Sequence, residues 1–341
     1  MSSKSIWLLF VVLLACLAPH QSQAQAQSRV PGTAELAAMG LKEVKLRHGN
    51  RERLFLVQEP PGPGAPTAVI VLLHGGTQSM RKVFGANAGA SREWLTVARA
   101  NRALLLVPNG TNPESGDAAG DNQFWNDLRS GPDVRTTSVD DVGFILKVLD
   151  WARDRDPGAV VPVYVTGASN GGMMTYRLLI EAPHRFTAAA AFIASLPANL
   201  GGLSLPKRAT PLLIASGTKD PLVKWEGGEI AGKRGAVVSA TDNLGWWLRA
   251  NRAAATPAET TWLPDVDPQD GCRIQRQTFP ANDGGAPVVF YTLQGGGHAM
   301  PSRKHAIPDT FFVRRFIGPV CRDLETAELA WEFFRSHARA N

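Results

Sequence analysis

Apolar residues along this chain fall into two rhythms. Unbroken runs at 67–73 (TAVIVLL), 103–107 (ALLLV), 161–166, 186–193, 211–215 (PLLIA) and 287–293 (PVVFYTL) predict strands covered on both faces. Between them, 93–100, 138–153, 173–181, 240–250 and 325–334 predict helices. In the second of these, Val142, Ile145, Leu146 and Leu149 recur at helical spacing. Ser138 is its candidate N-cap, with Asp141 three residues on as in a capping box and Asp140 favourable in the first turn. Segments 44–46 and 53–57 flank His48-Gly49-Asn50 and predict a β-hairpin at a sheet edge. Strand and helix alternate throughout, which predicts an α/β fold: a mostly parallel central sheet with helices on both faces.

The amino terminus follows neither rhythm. Lys4, the apolar run 6–18 (IWLLFVVLLACLA) and Ala24-Gln25-Ala26 have the layout of an export signal with its cleavage site. The run is too short for a permanent membrane span. The expected organisation is a signal peptide over 1–26, a flexible polar segment over 27–40 and one catalytic domain over 41–341, with the mature protein secreted to an extracellular or periplasmic space. A competing reading takes Leu13-Leu14-Ala15-Cys16 as a lipoprotein box and leaves Cys16 lipidated.

Composition narrows the function classes. The net charge is +6, but the 36 Lys and Arg residues are scattered and form no dense basic block, so no nucleic-acid partner is expected. Beyond the leader, Cys272 and Cys321 are the remaining cysteines and could pair in an oxidising compartment. HExxH and CxxC spacings are absent, and no metal or cofactor is expected.

Candidate chemistry centres on 163–174, VYVTGASNGGMM. A strand ends here and a helix begins, with Ser169 between Gly167 and Gly171. That is the sharp strand-to-helix turn on which a nucleophilic serine is presented. A serine hydroxyl needs a base, and a histidine base needs a carboxylate to orient it. His298, in the loop after the last apolar strand, and Asp220, directly after the strand at 211–215, stand at strand ends, where active-site groups of parallel sheets collect. Asp140 and Asp141 compete for the acid role but precede the serine and have a capping explanation. The order Ser169, Asp220, His298 is that of α/β-hydrolases. Two backbone N–H groups must meet the developing oxyanion. Asn170, following the nucleophile, supplies one, through its backbone rather than its side chain. Gly76, in the turn His74-Gly75-Gly76-Thr77, supplies the other.

With these residues in place, the chain resembles the polyhydroxybutyrate depolymerase and feruloyl esterase family of secreted α/β-hydrolases. The similarity rests on HGGTQS (74–79), FWNDLRS (124–130), DDVGFI (140–145), VYVTGASNGGMMTYRL (163–178), SGTKDPLV (216–223), GGGHAMP (295–301) and AWEFF (330–334), spread over about 40–338. The resemblance implies the same nucleophile, acid and base, and implies that Trp125 and Asp127 lie near the site, where the aromatic could pack on substrate. Where relatives often carry Ala-Gly-Ser-Leu-Pro followed by a cysteine, this chain has Ala194-Ser195-Leu196-Pro197. The apolar segment 302–320, with Phe311, Phe312 and Phe316, is a candidate lid or pocket rim.

The expectation is a serine carboxylic-ester hydrolase working through an acyl-enzyme on short hydroxyalkanoate polyester or oligomers. The alternatives are a feruloyl or acetyl xylan esterase, for which Trp125, Trp225, Trp246 and Trp247 would suit aromatic or sugar groups, and a non-catalytic surface lipoprotein retaining the fold. Activity is expected to fall in acid, as His298 takes up a proton.

Overall fold

The computed structural model describes residues 30–129, 138–230 and 233–338. The proposed leader, with Cys16, lies outside them. The chain opens on α1 (Thr33–Ala38), whose Leu36 is buried, so this stretch of the segment expected to be flexible is a docked helix. Seating that one leucine on the apolar core is what orders it. The predicted hairpin follows as β1 (Leu41–His48) and β2 (Arg51–Gln58), paired antiparallel from Leu41 opposite Gln58 to His48 opposite Arg51.

Next come β3 (Val69–Leu73), α2 (Glu93–Ala100), β4 (Leu104–Pro108), α3 (Asp141–Asp154), β5 (Val163–Ala168), α4 (Asn170–Glu181) and β6 (Ala188–Phe192). After these stand β7 (Leu212–Gly217), the short pair β8 (Gly228–Glu229) and β9 (Ala236–Val237), and α5 (Ala240–Ala250). The carboxyl-terminal part adds β10 (Glu259–Trp262), β11 (Arg273–Phe279), β12 (Val288–Gln294), α6 (Phe311–Ile317) and α7 (Thr326–Ser336). Ten strands form one sheet in the order β1-β2-β4-β3-β5-β6-β7-β12-β11-β10. From β4 to β12 all neighbours are parallel, and the antiparallel strands sit at the two edges.

Why the central strands read as unbroken apolar runs is plain from their packing. Leu104 and Leu106 face one cluster with α3, α4 and α5, while Leu105 and Val107 face the other with α1, α2 and α7. Each fully buried leucine contributes about 2 kcal/mol. On the second face Tyr164 stacks on Phe334 at 4.6 Å between ring centroids, tying β5 to α7.

The cap of α3 differs from expectation. Asp140, not Ser138, is the N-cap, its carboxylate accepting from Gly143 N at 2.8 Å. Asp141 is diverted to a buried ion pair: Arg53 reaches its Oδ1 at 2.7 Å, and Asn126 N donates to its Oδ2 at 2.8 Å. A residue locked in that pair cannot turn back to close a capping box.

Candidate active site

The turn at Ser169 is built by close backbone contact. A Cβ on Gly171 would lie 2.3 Å from the Leu73 carbonyl oxygen, and one on Gly167 would lie 2.4 Å from Gly171 O. With both residues reduced to glycine, α4 starts directly against the ends of β3 and β5. Ser169 itself adopts φ 56° and ψ −125°, a conformation that costs a side-chain-bearing residue about 1–3 kcal/mol. It is held there by Ser169 N donating to Phe192 O and Met173 N donating to Ser169 O, both at 2.9 Å.

The turn after β3 runs alongside. A Cβ on Gly75 would lie 3.7 Å from Ser169 Cβ, and one on Gly76 would lie 3.6 Å from Asn170 Cβ. His74 anchors this turn from inside the protein. Gly110 N donates to His74 Nε2 at 2.9 Å, so the ring proton sits on Nδ1 and is donated to Gly75 O at 2.8 Å. Burial pushes the His74 imidazole down to about 4, which keeps it neutral in this role. The His74 side chain is thus a buried strut for the turn that carries Gly76.

Asn170 is the first residue of α4, so its N–H points out of the positive end of the helix. Its side chain is fully committed elsewhere: Oδ1 accepts from Trp125 N at 2.8 Å, and Nδ2 donates to Asp127 Oδ2 at 2.6 Å. This corrects the expectation for Trp125 and Asp127. Both are buried behind the turn, and neither reaches the cavity beside Ser169. The Trp125 indole donates to His74 O at 2.9 Å, and Asp127 pairs with the buried Arg129 at 2.7 Å. They brace the turn. Trp246 and Trp247 are likewise core residues, packed with Tyr176.

The third element is the loop after β12. His298 Nδ1 lies 2.7 Å from Asp220 Oδ2, and Asp220 Oδ1 accepts from Leu222 N at 2.8 Å and Val223 N at 2.9 Å. The carboxylate accepts a hydrogen bond from the Nδ1–H, which leaves Nε2 with its lone pair. The loop is fixed by contacts from distant parts of the chain. His298 N donates to Ile317 O at 2.5 Å and Gly297 N to Pro319 O at 2.7 Å. Cys272 and Cys321 are joined by a disulfide, Cα atoms 5.4 Å apart. It lies directly under the loop, since a Cβ on Gly296 would meet Cys321 Sγ at 2.7 Å.

Gly75, Gly76, Ser169, Asn170 and His298 all border one cavity of about 290 Å³. Its walls are mixed, with Gln78, Arg129 and Arg234 beside Met173, Ile193, Ile230, Met300, Ile307 and Ile317. The last two come from the segment expected to form a lid or rim. Within it α6 exposes Phe311, Phe312 and Phe316 by 77, 71 and 63%. A second cavity, about 500 Å³, lies at the opposite end of the strands beside Val69, Leu104 and Val163 and is lined by no serine, histidine or cysteine. Among the described residues no cluster of three or more His, Cys, Asp or Glu could hold a metal ion, and no helix is long and apolar enough to cross a membrane.

No family model matches the chain. It is 29% identical over 301 residues to the protein named "Putative esterase NocK" of Nocardia uniformis subsp. tsuyamanensis, covering 83% of this chain and 79% of that one. It is 28% identical to feruloyl esterase B of Piromyces equi and 30% identical to a poly(3-hydroxybutyrate) depolymerase of Ralstonia pickettii. These matches take in 52% and 38% of this chain but only 31% and 25% of the relatives. By sequence the chain is thus similar to proteins named as an esterase, a feruloyl esterase and a polyhydroxybutyrate depolymerase. An acetyl xylan esterase of Aspergillus awamori superposes with a TM-score of 0.52 at 13% identity, over 87% of this chain and all of that one, and shares the α/β-hydrolase fold. The protein is a carboxylic-ester hydrolase. In this esterase the parallel strands β3, β5, β7 and β12 each bring one part of the candidate site to their carboxyl ends.

Proposed function

We propose that this esterase is a secreted serine hydrolase of short hydroxyalkanoate polyesters and oligomers, working through Ser169, His298 and Asp220. Ser169 Oγ attacks the ester carbonyl while His298 Nε2 takes its proton. Asp220 orients the imidazole and stabilises its charged form. The carbonyl oxygen becomes an oxyanion, which the N–H groups of Gly76 and Asn170 receive. Loss of one such donor typically costs about 3–4 kcal/mol of transition-state stabilisation. Collapse of the intermediate breaks the ester C–O bond, and His298 returns the proton to the departing alcohol. Water, deprotonated by the same imidazole, then attacks the acyl-enzyme, releases the acid and restores Ser169.

The observation that carries this reading is the 2.7 Å contact of Asp220 with His298, which borders the cavity that also holds the strained Ser169 turn. The apolar part of the wall and the exposed phenylalanines of α6 favour a substrate whose chain is apolar beyond the ester. The leader sequence and the Cys272–Cys321 bridge support export to an oxidising compartment.

A fluorophosphonate probe tests the chemistry. Labelling that disappears in Ser169→Ala supports it. Failure to label, or labelling that survives the substitution, sinks the serine chemistry. The substrate is tested with hydroxybutyrate oligomers, methyl ferulate and acetylated xylan. Highest kcat/KM on the oligomers supports the proposal, and preference for either plant ester overturns that part alone.

A further inference from the structure

Beneath the histidine loop lies a polar cluster that the mechanism above does not use. Glu93, the first residue of α2, and Glu325, the N-cap of α7, are buried with 4% and 6% exposure, and Ser302 between them is fully buried. Ser302 follows His298 by four residues. Its hydroxyl donates to Glu325 Oε2 at 2.7 Å, and Arg303 N and Lys304 N donate to Glu325 Oε1 at 3.3 Å. From the other side Ala327 N donates to Glu93 Oε2 at 3.0 Å. Thr326 Oγ1 donates to Pro301 O at 2.6 Å. The loop that carries His298 is therefore clasped to α2 and α7 through two acidic side chains.

Two buried carboxylates side by side cannot both be ionised cheaply. The ionisable groups around them are few. Arg303 lies 3.7 Å from Glu325 with half its side chain in solvent, and Lys304 pairs with Glu328 on α7. The turn before α2 contributes Arg92, and β6, packed on α7, offers only Ala188–Phe192. Glu325 takes the donors suited to a carboxylate. Glu93 Oε1 receives none among the described residues, as fits the oxygen that bears a proton. Burial, reinforced by Glu325, pushes the Glu93 carboxyl up to about 8.

We propose that Glu93 and Glu325 form an acid pair sharing one proton, which positions the His298 loop, and that losing this proton ends activity on the alkaline side. Glu93 is a positioning residue: it touches neither substrate nor the reacting atoms. This inference rests on His298 being the base of the reaction. When the shared proton leaves, two adjacent negative charges push α2 and α7 apart, and the 301–304 segment clasped between them loosens. His298 then loses its alignment to Asp220.

The test is the pH profile of kcat/KM on a short-chain ester, followed by pH-stat, for the wild type, Glu93→Gln and Glu325→Gln. Either glutamine keeps a neutral donor beside one carboxylate and removes the shared proton. The wild type is expected to fall above about pH 8, by up to tenfold per unit as for a single ionisation. In both variants the ratio of activity at pH 9.5 to that at pH 7 should return to near one. An unchanged alkaline limb in both overturns the proposal. Melting curves give a readout independent of catalysis. Between the ordinary glutamate value of 4.5 and about 8, the unfolded chain binds fewer protons than the folded one. Wild-type stability should therefore decline relative to Glu93→Gln as pH rises through that window; a constant difference in Tm also overturns the pair. Should Ser169→Ala retain activity, the catalytic reading fails while the melting curves still decide the acid pair.

Discussion

Ser169 sits on a turn locked by backbone against backbone, whereas His298 sits on a loop locked by side chains from remote parts of the chain. On the serine side the contacts are Gly171 against Leu73 O and Gly167 against Gly171 O, within a strand, a turn and a helix close in sequence. On the histidine side they are Asp220, Ile317 O, Pro319 O, the Cys272–Cys321 bridge and the Glu93–Glu325 cluster. The proposed reaction, with a strained nucleophile at Ser169 and proton transfer through His298, is well served by this division. The nucleophile needs a rigid mount, and the base needs an environment that can be tuned without disturbing that mount.

The comparison predicts that side-chain changes dominate on one side and glycine changes on the other. The largest effect is expected from Asp220→Asn, which keeps the shape but no longer fixes the His298 tautomer. It should lower kcat by about 10,000-fold with little change in KM, by steady-state kinetics. Next, Cys272→Ala combined with Cys321→Ala opens a loop of 49 residues and should remove about 4 kcal/mol of stability by denaturant titration. The variant should lose activity at temperatures where the sheet is still intact by circular dichroism, since the bridge supports the histidine loop. If activity and sheet melt together, the histidine side is no softer than the serine side, and the comparison breaks. Gly171→Ala should cost about 3 kcal/mol, because a methyl group is forced against a carbonyl that cannot move. A fully stable Gly171→Ala protein would show that the mount is not rigid.

The smallest expected effect is a pH dependence on the serine side. His74 is held near 4 against an ordinary 6.5, so between those values the unfolded chain binds the extra proton and stability falls as pH falls. The loss is about 3 kcal/mol across the window and should be absent in His74→Gln, compared by melting curves from pH 7 to 4.

The same division explains what could be read in advance. Strands such as β4 are apolar on both faces and announce themselves, and the glycines of the serine turn are local, so the chain alone points to Ser169, Asp220 and His298 as candidates. By contrast β10 and β11 leave no mark in the sequence, because they are exposed or half-buried along most of their length and carry ETTW and RIQRQTF, a pattern without apolar rhythm. Helix α6 was missed as a helix for the opposite reason: its phenylalanines cover no core, so no helical face is marked. Trp125 and Asp127 were assigned to substrate because sequence carries no direction; only packing reveals that they face Asn170. Arg53 with Asp141, and Glu93 with Glu325, stand 88 and more than 200 positions apart, so no local pattern could join them.

The sheet also has two open ends. Along β1 the outward positions Glu43, Lys45 and Arg47 carry charge while Val44 and Leu46 pack inward. The strand therefore offers unpaired backbone groups lined with charged side chains to any neighbour. A second molecule adding a strand there would have to strip water from those charges and set them beside its own. That makes β1 a poor template for edge-to-edge aggregation, which matters for a ten-stranded sheet whose apolar centre would otherwise be an invitation to fibrils.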